Sequence, residues 1–150
     1  MIVMTLKHSN ASPLRALLLM ALLGTGTAHA GQEDSLYQQL GERPGITRIV
    51  EGMLLNAAHD NRIVRHFRHI NPQFVRDRLV LQLCAESGGP CVYDGEKMSE
   101  SHKGMNIDNT EFDALLENLT LSMQAQKVPT SAQSQVLTAM QAQRGEVVGK

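Results

Sequence analysis

The sequence predicts an all-α fold, and three observations carry that reading. Apolar residues recur at spacings of three and four through Ile46, Ile49, Val50, Met53, Leu54 and Ala57, and again through Phe112, Leu115, Leu116, Leu119 and Met123; this is the period of a helix with one buried face. Asn71-Pro72 and Pro129-Thr130-Ser131 are helix-start signatures. No segment alternates apolar and polar residues as a half-buried strand does. Tryptophan is absent and only 3% of residues are aromatic, so the core must rest on Leu, Ile, Val, Met and Ala.

The elements follow in order. Ser35 caps a first short helix ending at Leu40, and the stretch Gly41 to Gly45 is expected to break the chain before the amphipathic helix that carries Ile46 to Ala57. Asp60 to Phe67 reads as a tight corner. Asn71-Pro72 then opens a longer helix over Gln73 to Ala85. Gly88, Gly89 and Pro90 end it, because this run cannot continue a helix. A short helix beyond the bend puts Met98 and His102, four residues apart, on one face, while Lys97, Glu100 and Lys103 mostly populate the others. Asp108 or Asn109 caps the helix of Phe112 to Met123. The last helix carries Val136, Leu137 and Met140.

The order Tyr-x-Gly-x-x-Met-x-x-x-His, with Gly-Gly-Pro before it and Gly-x-x-Ile after it, is formed here by Gly88, Gly89, Pro90, Tyr93, Gly95, Met98, His102, Gly104 and Ile107, with Phe112 following. Together with Leu36-Tyr37-x-x-Leu40-Gly41 and Asp60-x-Arg62-x-x-x-x-Phe67, this pattern resembles the bacterial truncated haemoglobins, most closely their first group. The resemblance runs ungapped from about Ser35 to about Val148. It implies a two-over-two helical sandwich holding haem b, with His102 as the proximal iron ligand and Phe67, Met98, Ile107 and Phe112 against the macrocycle. Attachment is expected to be non-covalent, since no C-x-x-C-H is present. Arg78, Lys103 and Tyr93 are the expected partners of the propionates.

On the other side of the iron the chain departs from the family pattern. The tyrosine that usually hydrogen-bonds the gas ligand falls at Leu54, and the frequent glutamine of the following long helix falls at Leu79, with Val75 one turn earlier. The distal wall is therefore expected to be apolar. His59, His66 and His69 read as surface residues, with His66 or His69 beside the iron as the alternative. A zinc site at His66 and His69 lacks the accompanying ligands of a closed tetrahedral set.

Residues 1–30 combine Arg15, the apolar run ALLLMALLGTGTAHA and Ala28-His29-Ala30 ahead of Gly31, which match a cleavable secretory signal. The apolar run is too short for a comfortable membrane span. Residues 31–150 then form one domain, periplasmic or secreted. Cleavage takes away Lys7 and Arg15 and no acid, which moves the net charge from −1 to −3 and argues against nucleic-acid binding. Cys84 and Cys91 would both enter an oxidising compartment, where they are expected to pair. The function expected is binding of diatomic ligands (O2, NO, CO) at a single iron. The alternatives are a periplasmic haem redox enzyme, detoxifying nitric oxide or acting on peroxide with an unidentified reductase, or a gas or redox sensor.

Overall fold

A computed structural model describes residues 34–150; the expected signal over residues 1–30 lies outside the described residues. Seven α-helices and one 3-10 turn make up the described fold: α1 (Leu36–Gln39), α2 (Glu42–His59), the 3-10 turn Val64–Phe67, α3 (Pro72–Glu86), α4 (Met98–Ser101), α5 (Asn109–Ala125), α6 (Thr130–Ala142) and α7 (Arg144–Val147).

The boundaries have local causes. Ser35 and Gln38 form a reciprocal capping box on α1, and Asp108 and Glu111 form another on α5. The Asn71 side chain accepts from the N–H groups of Gln73 and Phe74, with Pro72 at the first helical position of α3. The break before α2 is shorter than the expected Gly41 to Gly45. Leu40 and Gly41 form it, with Gly41 at φ +78°, and the helix already runs through Pro44 and Gly45. The first-turn N–H groups of a helix have no intrahelical partner, so proline there removes nothing the helix needs. At the other end of α3, Gly88 takes the left-handed conformation, φ +82°, and turns the chain out of the helix.

The long helices stack as two pairs, α2 with α3 and α5 with α6, and the most extensive contact is α2 against α5. Gly52 makes that close crossing possible: a Cβ there would come within 2.4 Å of Ser122 Oγ, which itself donates to the Ile49 carbonyl at 2.7 Å. The main core gathers Leu40, Ile46, Ile49, Val50, Met53, Val80, Leu83, Leu119, Met123 and Val136. A smaller cluster joins Phe112, Leu116 and Val147 beside Met98 and Ile107. It is closed by the chain's end: α7, which periodicity does not announce, brings Val148 into an isolated bridge with Ile107, and Gly149 N–H donates to the Ile107 carbonyl at 2.9 Å.

Candidate cofactor site

α4 is a single turn with no side-chain cap, and its position is set from outside. Upstream, the Cys84–Cys91 disulfide joins the end of α3 to the segment that leads into α4, with a Cα–Cα distance of 5.7 Å. Downstream, the Met105–Ile107 segment is held by the chain end, and α4 itself packs on α7. His102 caps the turn and is half-buried. Its Nδ1 lies 2.8 Å from the Met98 carbonyl and 3.1 Å from Ser101 Oγ. A carbonyl only accepts, so Nδ1 carries the proton and Nε2 keeps its lone pair. Nε2 bonds to no other described residue.

His102 faces a cavity of about 630 Å³, within the range of roughly 300–1,000 Å³ found for small-molecule and cofactor sites. Val75, Arg78, Leu79 and Gln82, at helical spacing on α3, line it together with Met98, Met105, Ile107 and Phe112 from the α4 to α5 region. Phe67 comes from the 3-10 turn, and Tyr93 from the segment after the disulfide. The lining is mostly apolar, as a flat apolar macrocycle with polar edges requires, and the uncommitted Nε2 of His102 is the donor that its metal lacks. The residues present therefore fit haem.

Two expected rim or distal positions do not belong to the cavity. Lys103, one residue past His102, turns outward, is 77% exposed and sits 4.0 Å from Glu100. Leu54 is half-buried against the main core, and Met53 is the α2 residue that lines the cavity instead. Successive residues of a helix point about 100° apart, so a difference of one position changes the face. Arg78 does stand at the cavity, with its guanidinium 2.6 Å from Asp94 and 5.5 Å from the centroid of the Phe74 ring.

The cavity also holds polar groups that periodicity does not reveal. Gln82 is buried, and its amide donates to Glu86 at 2.9 Å and to Gln143 at 3.0 Å. His66, expected at the surface, has only 10% of its side chain exposed and lines the cavity. Its Nε2 is 3.0 Å from Oε1 of Glu111, a buried carboxylate that also receives Arg65 Nε at 2.6 Å and the Asp108 N–H at 3.0 Å. The Arg65 guanidinium holds the Glu111 carboxyl down at about 2, against the opposing effect of burial and with help from the Asp108 N–H and His66. The only advance signal was the Asp108-x-x-Glu111 capping box, which says nothing about a histidine 45 residues earlier.

Comparison with known proteins follows the same lines. Residues 35–148 match the family described as bacterial-like globin. The chain is 26% identical over 119 residues to the group 1 truncated hemoglobin of Tetrahymena thermophila, covering 79% of this chain and 98% of that protein. It is 26% identical over 117 residues to the group 1 truncated hemoglobin GlbN of Nostoc commune, covering 78% and 99%. Among solved structures, the Fe(III) form of truncated hemoglobin from Tetrahymena pyriformis superposes with a TM-score of 0.75 at 26% identity, over 78% of this chain and all of that one. The 2/2 hemoglobin of Synechococcus sp. PCC 7002 shares the fold at a TM-score of 0.72 and 24% identity, over 78% and 100%.

Proposed function

Since the chain belongs to the bacterial-like globin family and is a haem-binding truncated globin of the 2/2 fold, with small gases as its ligand class, we propose that His102 is its axial iron ligand, through Nε2, and that the haem is of type b and held without a covalent link. The observation that carries this is the hydrogen bond from His102 Nδ1 to the Met98 carbonyl. It fixes both the tautomer and the plane of the ring, so the free nitrogen is presented in one direction. When bound, haem would supply an iron held by His102 and able to take a small gas ligand.

The other residues have separable tasks. Met98, Ile107, Phe112 and Phe67 exclude water from the macrocycle faces. Arg78 and Tyr93 serve the propionates, with Arg78 exchanging its Asp94 partner for the new anion. Val75 and Leu79 present hydrocarbon to a gas ligand, so nitric oxide and carbon monoxide, which lean little on a hydrogen-bond donor, are favoured relative to dioxygen. The mature protein is exported, starting at Gly31, with the Cys84–Cys91 bridge formed on the way.

Absorption spectra of the purified ferric, ferrous and carbonmonoxy protein test the assignment. His102→Ala should lose stable haem loading, and added imidazole should partly restore the spectrum. Unchanged haem content in that variant would overturn the assignment. For export, the periplasmic protein should begin at Gly31 and weigh about two daltons less than its reduced form; retention of residues 1–30 would count against it.

A further inference from the structure

We propose that His66, oriented by Glu111, is the proton acceptor of the cavity, and that it serves weak acids that bind iron as their anions: hydrogen cyanide, hydrogen sulfide and hydrogen peroxide are the class. This rests on the haem-binding reading above and adds a ligand class to it.

Glu111 is anionic, and its Oε1 can only accept, so the 3.0 Å contact requires the proton of His66 to be on Nε2. Nδ1 is then the bare nitrogen, and it bonds to no other described residue. Glu111 cannot easily turn away from this task. Its Oε2 is engaged by the Asp108 N–H, and Oε1 is shared by Arg65 and His66. Both side chains are about nine-tenths buried, while Arg65, at 59% exposed, closes the cluster toward solvent.

This arrangement suits proton uptake. A proton arriving at Nδ1 makes an imidazolium whose other N–H already faces a carboxylate in a poorly solvated wall, so the new charge is offset without rearrangement. Coordination by His66 through Nε2 would require that nitrogen to abandon Glu111. Other bases near the cavity are otherwise engaged or wet: Asp94 is paired with Arg78 and 74% exposed, Glu96 is exposed, and His102 is committed to iron. With Val75 and Leu79 apolar, His66 is left as the side chain able to take a ligand's proton inside the cavity.

For hydrogen cyanide the balance is simple. The H–C bond breaks, the proton goes to His66 Nδ1, and the electron pair stays on carbon as the donor to ferric iron. Nothing is oxidised or reduced. Carbon monoxide carries no proton, so its binding has no use for the base.

The test is stopped-flow association of cyanide with the ferric holoprotein and of carbon monoxide with the ferrous one, followed by the change in haem absorption. The ratio of the cyanide rate to the carbon monoxide rate should fall by about a hundredfold in His66→Leu, and by about tenfold in Glu111→Gln, which keeps the capping box because glutamine also serves at that position. Glu111 is a positioning residue, so a second readout applies: ring 15N shifts of His66 in the carbonmonoxy protein should show protonated Nε2 and bare Nδ1, and this preference should weaken in Glu111→Gln. An unchanged ratio in His66→Leu would overturn the proposal, as would both rates falling together. A parent protein without a haem spectrum would instead defeat the haem-binding reading.

Discussion

At the scale of single residues, the site is decided by which atoms are already engaged. His102 spends Nδ1 on a backbone carbonyl and keeps Nε2, whereas His66 spends Nε2 on Glu111 and keeps Nδ1. Two histidines on one cavity are thereby set to different tasks by their neighbours. The apolar pair Val75 and Leu79 is the complementary case, offering a ligand no donor. Leu79→Gln should therefore change gas binding selectively. A hydrogen bond to a ligand that gains negative charge is worth about 1.5–3 kcal/mol, so dioxygen release should slow by about tenfold or more while carbon monoxide release changes little. Rapid mixing of the oxygenated protein with excess carbon monoxide measures both. Equal dioxygen release from parent and variant would mean that the cavity already supplies a donor. Leu54→Tyr is a weaker test than sequence position suggests, because Leu54 packs on the core and Met53 faces the cavity.

At the scale of elements, α3 and α4 share the work unequally. α3 has fifteen residues, a capped start and a broad contact with α2, so its cavity face is positioned by ordinary packing. α4 has four residues and no side-chain cap, and a helix that short has no independent stability. What positions His102 is the disulfide before it and the chain end after it. Closing a loop of this size contributes at most about 2–3 kcal/mol on the chain-entropy model. Replacing both Cys84 and Cys91 by serine should lower the melting temperature by about 10 °C. It should also speed haem transfer to an acceptor protein, because the segment leading to His102 loses its tether. A variant that melts lower yet releases haem at the parent rate would show that α7 and the Ile107–Val148 bridge suffice to hold α4.

At the scale of the whole molecule, the features legible in the sequence were those with local causes. Caps at Ser35, Asn71 and Asp108, the turn at Gly88, and the four-residue spacing of Met98 and His102 are written in adjacent positions, and the helix order follows from them. Features that join distant segments were not legible. α7 exists because Val147 finds Phe112 and Leu116, and the Glu111 cluster exists because the fold brings the 3-10 turn to the start of α5. The same long-range ion pairs set the molecule's response to acid. Glu111 titrates at about 2 in the folded protein, below its ordinary value of 4.5, and Asp60 is held well below the carboxylate range by hydrogen bonds from Arg62, with Asn118 adding to them. Between about pH 4.5 and 2 the unfolded chain thus binds more protons than the folded one, so the stability these groups contribute is fully present above that window and is lost as pH falls through it. Thermal unfolding followed from pH 6 downward should show a steep loss of melting temperature in the parent protein. The decline should be shallower in Glu111→Gln and in Asp60→Asn, and shallowest in the double variant, since Arg62 with Asn118 and Arg65 with His66 act at separate places. Variant curves running parallel to the parent throughout would show that other carboxylates govern acid unfolding.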